Sequence, residues 1–237
     1  MRRVNAVIVA IVLSYAALML WLRVPGGHAG DLSPDGNLGA WLDRVLMRGH
    51  LWRPQWDPEG LLSTLPAVAT TLMGVVAGDA LRRAPTLSRW RRHLVIGGVM
   101  CMAAGGLWHP WFPINKSLWA SSYVLFTGGV AAILLAFCSK WADEIPLGWR
   151  LRTSEPFVAL GRNAILLFVL SGLTARLMGV VIVDQAAHLS MKGWIYSTLF
   201  MPLASPRTAS LLFAIANLLL LYTLLAWLHR RRLYWKV

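Results

Sequence analysis

Six apolar runs, at residues 4–22, 61–81, 94–111, 118–137, 157–183 and 209–228, decide what this chain can fold into. Each is close to the roughly 20 residues with which a helix crosses the hydrocarbon core of a bilayer. Backbone in hydrocarbon has no water to bond, and a helix satisfies its N–H and C=O groups within one segment. Hydrophobic residues make up 57% of the sequence and charged residues only 14%, too little charge to cover a water-soluble surface. The sequence therefore predicts an all-α, polytopic membrane bundle of about six transmembrane helices, formed by one integral-membrane domain over residues 1–237. The third run is the shortest and the richest in glycine.

A net charge of +13 would suit a nucleic-acid partner if the basic residues shared one patch. Their distribution follows the spans instead. With six alternating helices, 14 of the 23 Lys and Arg residues fall on one side: Arg2, Arg3, Arg82, Arg83, Arg89, Arg91, Arg92, Lys140, Arg150, Arg152, Arg230, Arg231, Arg232 and Lys236. The other side receives seven, Arg23, Arg44, Arg48, Arg53, Lys116, Lys192 and Arg207, spread over longer loops. Cytoplasmic loops carry the basic excess. Both termini are thus expected in the cytoplasm of a multi-pass cell-membrane protein, with membrane lipid and no nucleic acid among its partners. The Met-Arg-Arg start reads as the lead of an uncleaved span, because the apolar run exceeds a secretory h-region and no clean Ala-x-Ala site follows. Cys101 and Cys138 both lie inside apolar runs and read as small packing residues.

The long first outer loop has order of its own. Leu38, Trp41, Leu42, Val45 and Leu46 recur at helical spacing after Asn37, with Asp43, Arg44 and Arg48 at the other positions, which predicts an amphipathic helix lying in the interface or roofing the bundle. Gly74 and Gly78 form a Gly-x-x-x-Gly pair, and Gly97, Gly98, Gly105, Gly106, Gly128 and Gly129 add small faces on the next two spans. Small residues let helix backbones approach in lipid, so spans two, three and four are expected to pack together. Asp79 precedes Arg82 and Arg83 by three and four residues and is expected to pair with them.

Chemistry-bearing residues concentrate in two outer segments. Between Trp108 and Val124 a short hairpin gathers His109, Asn115, Lys116, Ser117, Ser121, Ser122 and Tyr123 among the rings of Trp108, Trp111, Phe112 and Trp119. Trp56-Asp57-Pro58-Glu59-Gly60 has the order of a helix start, with an acceptor at the N-cap, proline in the first turn and negative charge near the positive end of the dipole. Asn115 or Ser117 has the chemistry to cap the fourth span in the same way. These residues are either caps alone or, because both helices begin on one outer face, the rim of a shared site. Arg162 and Asn163 lie near the inner end of the fifth run, where an arginine snorkels or serves function. The histidines, His50 and His109 among them, have no metal-ligand spacing, and no metal is expected. Nucleophile elbow, P-loop and dinucleotide fingerprint are all absent from the sequence.

Four stretches together resemble the membrane domain of the heparan-alpha-glucosaminide N-acetyltransferase family and its prokaryotic relatives. They are Asp35-Gly36-Asn37-Leu38 with Trp41-Leu42-Asp43-Arg44 and Gly49-His50-Leu51; Asp57-Pro58-Glu59-Gly60-Leu61-Leu62-Ser63-Thr64; Pro113-Ile114-Asn115-Lys116-Ser117-Leu118-Trp119 through Ser122-Tyr123; and Arg232-Leu233-Tyr234-Trp235-Lys236-Val237. Gly161 and Asn163 fit a further Gly-x-Asn element. The resemblance implies acetyl transfer from acetyl-CoA, supplied from the cytoplasm, to the amine of an amino sugar on the opposite side, with a cell-envelope amino sugar as the general acceptor. It makes Asp57, Glu59, Asn115, Lys116, Ser122, Tyr123, Arg162 and Asn163 the candidates for binding substrate or CoA, with Lys116 and the outer helix N-termini serving the oxyanion and the phosphates. The family's catalytic histidine is expected in a segment ahead of the first span here, so an upstream helical segment or subunit is an expected partner. Within this chain His50 and His109 are the candidate bases. Ser171 and Gly172 stand where some relatives carry His or Glu. The alternative function is a noncatalytic membrane subunit or small-solute carrier built on the same bundle.

Overall fold

A computed structural model describes residues 1–144, 146–184 and 188–235, and the chain falls into two units, residues 1–144 and 145–237. The first unit holds α1 (Arg2–Trp21), α2 (Leu38–Leu46), α3 (Thr64–Arg83), α4 (Leu87–Trp108) and α5 (Ser121–Glu144). The second holds α6 (Leu147–Arg162), α7 (Ala164–Val180), strands β1 (Ile182–Asp184) and β2 (Leu189–Ser190), α8 (Met191–Ile195) running into a π-helical turn, and α9 (Pro206–Arg230). Among the described residues α1, α3, α5 and α9 are long and apolar enough to cross a membrane. Residues Thr153–Arg162 and Ala164–Val180 make a fifth if the pair counts as one span. The chain is an all-α multi-pass membrane protein.

Two of the six expected spans differ from expectation. In α4 the first two turns carry Arg89, Arg91, Arg92 and His93, and the helix ends at Trp108. That leaves about 22 Å of apolar helix, short of a hydrocarbon core of about 30 Å. The fifth run is broken rather than straight, bending by 76° at Asn163, which leaves helical geometry at φ −123°, ψ 34°.

Helix starts also differ. Ser63 stands before α3, and α5 begins only at Ser121. Asp57 therefore caps no helix, and neither Asn115 nor Ser117 caps α5. Asp57 instead accepts the amide of Glu59 at 2.9 Å, and Asn115 that of Ser117 at 2.8 Å. These are Asx turns, which use the same short acceptor against an amide two residues on. Asn37 is a true N-cap, accepting from Ala40 N–H at 2.9 Å at the start of α2.

The expected glycine packing is realised at only some positions. A Cβ on Gly98 would lie 2.8 Å from the Gly129 carbonyl oxygen, and one on Gly105 would lie 2.6 Å from that of Ser122. One on Gly129 would run into the Gly98 oxygen. These three glycines let α4 and α5 touch backbone to backbone, and Gly128 packs on Met73 of α3. Gly74, Gly78, Gly97 and Gly106 face open space, so the Gly-x-x-x-Gly pair makes no helix contact within the unit.

The far end of α4 and α5 is closed by Arg91, only 9% exposed, which donates to Asp143 at 2.6 Å, Glu144 at 2.5 Å and the Ser139 hydroxyl at 3.1 Å. Trp90 reaches Ala77 O of α3 at 3.0 Å, and Asp79 pairs with Arg83 at 2.6 Å, as its spacing suggested. At the opposite end Tyr15, Met19, Leu38, Phe112, Leu118 and Ala120 pack as one cluster beneath α2.

Gly129→Ala should lower stability by about 1–3 kcal/mol, the usual cost of forcing a methyl into a filled contact. Gly74→Ala and Gly78→Ala should leave it unchanged or raise it by up to about 1 kcal/mol, the helix-propensity difference. Thermal unfolding in detergent measures all three, and a loss at Gly74 as large as at Gly129 would refute this packing.

Candidate functional site

Within the first unit, the end of α1, α2, the segment before α3 and the residues before α5 surround a cavity of about 130 Å³. Its polar lining is Tyr15, Asn37, Asp43, Asp57, Ser63, Asn115 and Ser117. Three of the four stretches that carry the family resemblance meet there, separated by up to 80 residues in sequence.

Each wall is held by hydrogen bonds that the local sequence dictates. Asn37 is fully used: beyond its cap it donates to Ser33 O at 2.7 Å and Pro34 O at 3.1 Å, which fixes the turn into α2. Arg44 Nη1 donates to Asp35 O and Gln55 O, both at 2.7 Å, tying the segments on either side of α2 to it. Asp57 accepts Trp52 N–H at 2.9 Å through its second oxygen and so folds the loop from 52 to 59. Tyr15 OH donates to Leu118 O at 2.5 Å, and its ring lies 6.1 Å from that of Phe112.

Asp43 is the unexpected member. Placed by sequence among the polar positions of an amphipathic helix, it is 1% exposed. Its Oδ1 accepts Leu61 N–H at 2.9 Å, and its carboxylate lies where a Cβ on Gly60 would stand. Gly60 is therefore required by contact. Burial pushes the Asp43 carboxyl above its ordinary value, and the charge of Asp57 adds to the rise. The Leu61 amide and Arg44 act the other way. No Lys, Arg or His lines the cavity, so its electrostatic character is acidic.

Of the residues expected from sequence, Asp57 and Asn115 line this cavity. Glu59 and Lys116 are exposed and outside the lining. Ser122 is fully buried on α5 at its contact with Gly105, and Tyr123 sits edge-on to Trp119 at 5.6 Å. His50 is exposed and off the cavity. His109 is also exposed, and its Nδ1 accepts Ile114 N–H at 3.0 Å, bracing the hairpin. Asn37, Asp43 and Tyr15 were missed as cavity residues. The readable signal was that Asn37, Ala40 and Asp43 share one face of α2, a cap, a small residue and a carboxylate in line.

Arg162 and Asn163 belong to the second unit. Asn163 is 1% exposed, accepts Trp235 N–H at 3.0 Å and donates to Leu233 O at 3.4 Å. Arg162 donates to Tyr234 OH at 2.9 Å, its guanidinium 5.2 Å from that ring. The Gly-x-Asn element and the closing stretch thus meet at the bend between α6 and α7, beside an open cavity of about 410 Å³. Lys236 and Val237 of that stretch lie outside the described residues.

No family model matches the chain. Mouse (Mus musculus) heparan-alpha-glucosaminide N-acetyltransferase is 29% identical over 186 aligned positions, taking in 65% of this chain and 28% of the relative. The human (Homo sapiens) protein of that name is 28% identical over the same share of each. The matched part therefore spans little more than a quarter of these relatives, to which the chain is distantly related.

Asp43 gives a pH signature. Its folded-state proton affinity is raised, so its stabilising contribution is complete below the ordinary value of 3.8 and is lost as pH rises through the raised value. Asp43→Asn keeps an acceptor for Leu61 N–H and removes the charge. The melting temperature of wild type minus that of Asp43→Asn should therefore fall as pH rises from 3.8 towards neutrality. A pH-independent difference would refute the buried-carboxylate assignment.

Proposed function

We propose that the chain forms the acceptor-binding part of a membrane acetyltransferase and that its acidic cavity takes the amine-bearing end of an amino sugar. The supporting observation is the lining: two carboxylates, Asp43 and Asp57, two side-chain amides and three hydroxyls, with no cation. An ammonium group is the complementary partner for such a lining, and phosphate is not. At about 130 Å³ the cavity is well below the usual size of about 300–1,000 Å³ for drug-sized ligands, which suits one sugar ring and excludes a whole CoA.

Acetyl-CoA is the donor that the resemblance implies. In the proposed reaction Asp43, its proton affinity raised by burial, takes the proton of the amine. The freed amine attacks the thioester carbonyl carbon, the nitrogen gives up its second proton as the C–S bond breaks, and the departing CoA thiolate takes that proton while the first passes from Asp43 to solvent. Asn115 and Ser117 position the sugar hydroxyls. His50 and His109 fit the base role less well, because neither lines the cavity and His109 Nδ1 is occupied. The site faces away from the cytoplasm in the orientation supported by the 14-to-seven partition of basic residues.

The chemistry is tested with the full chain in nanodiscs. Glucosamine should raise the melting temperature, whereas glucose and N-acetylglucosamine should not. Asp43→Asn should abolish the glucosamine effect and reduce acetyl transfer by about a hundredfold or more, the range for a lost general base. Equal stabilisation by all three sugars would overturn the assignment.

Orientation is tested with single cysteines in intact cells. An impermeant thiol reagent should label position 116 from outside and reach position 89 only after permeabilisation. The reverse pattern would put the cavity in the wrong compartment for this reaction.

A further inference from the structure

The depth of the cavity identifies how its acceptor is presented, given the amino-sugar reading above. Its floor is Tyr15, six residues before α1 ends at Trp21, and so about 9 Å below the helix end. The headgroup layer on each side of a bilayer is only about 5–7 Å thick. With the end of α1 in that layer, the floor lies at or below the level where headgroups meet lipid chains. Its roof is α2, whose Val45 and Leu46 are exposed, and the loop that carries Trp52, which is 75% exposed. A loop standing in water would gain nothing from an open tryptophan, whereas a loop lying on a bilayer places that ring at its preferred depth. Trp21 at 78% and Trp111 at 70% exposure end α1 and open the hairpin at the same face. Roof, rim and floor thus bracket the headgroup layer, and an acidic cavity opens within it.

We propose that the acceptor is an amino sugar carried on a lipid anchor, its sugar seated between Asp43, Asp57 and Asn115 while its chains stay in the surrounding leaflet. A water-soluble glycan must bring its end out of solution and into the headgroup layer to reach Tyr15. A lipid-anchored sugar already resides there, and tethering raises its effective concentration without any new polar contact.

The full chain in phosphatidylcholine nanodiscs distinguishes these cases. A glucosamine-headed dialkyl lipid, a glucose-headed lipid of the same chain length and soluble methyl glucosaminide are compared by half-maximal thermal stabilisation and by acetyl transfer from acetyl-CoA. The glucosamine lipid should act at a concentration at least about a hundredfold below that of methyl glucosaminide, within the gain expected from tethering. The glucose lipid should have no effect. The paired change Leu46→Ser with Trp52→Ser, which alters no lining residue and keeps the backbone bond from position 52 to Asp57, should weaken the response to the glucosamine lipid and spare that to methyl glucosaminide. Equal potency of lipid and soluble amino sugar, or equal loss for both in the paired variant, overturns the lipid anchor and leaves the amino-sugar reading standing. No response to either amino sugar overturns both.

Discussion

The bond from Leu61 N–H to the buried carboxylate of Asp43 is the contact on which the site depends. It joins α2 to the segment that leads into α3, while Leu38, Trp41 and Leu62 from these two segments pack on Tyr15 and Met19 at the end of α1. Gly60 lets the carboxylate approach, Arg44 draws in the carbonyls of Asp35 and Gln55 around it, and Asn37 sets where α2 begins. Each of these uses a short-range bond to fix a long-range closure. A nine-residue helix would be marginal alone, and here tertiary bonds hold it.

The bilayer explains why the polar machinery is sorted to two ends. Along the middle of α4 and α5 the contact is glycine against backbone, with no polar side chain spent, because lipid rewards close packing and penalises unpaired polar groups. Charges gather at one end, where Arg91 satisfies its donors on Asp143, Glu144 and Ser139. That clasp is a structural use of charge, since the three partners match the fork of one guanidinium. At the other end the acidic cavity is a different arrangement, with like charges facing one another.

Length and polarity made the apolar helices readable, because spanning hydrocarbon leaves the backbone one solution. The starts of α3 and α5 were not readable for a specific reason: Asp57 and Asn115 offer the same acceptor to an amide two residues on whether or not a helix follows. Only the later backbone decides between cap and Asx turn. The working glycines were equally hidden. Gly98 and Gly97 are neighbours of one type, yet rotation of α4 aims the first at Gly129 and the second at open space. Asp43 looked like solvent-facing charge because it lies beside Arg44 on a short helix, and its burial is a property of the closed loop. Asp57 and Asn115 both line the cavity, and the sequence argument that marked them was that two segments begin on one outer face.

Adjacent sequence charges would ordinarily make a buried carboxylate structural, and Arg44 is the test of that. Its Nη1 is committed to two carbonyl oxygens, and among the described residues no cation lies within ion-pair distance of Asp43 or Asp57. A carboxylate removed from water without a countercharge destabilises the fold, and a second carboxylate on the same cavity makes the cost larger. Packing alone would favour an amide or an apolar residue at position 43. In the proposed reading an arriving amine supplies the positive charge that this small acidic cavity lacks. Asp43 thus has one backbone donor and no ion-pair partner, which separates it from Asn37, six residues before it, whose donors and acceptor are all used.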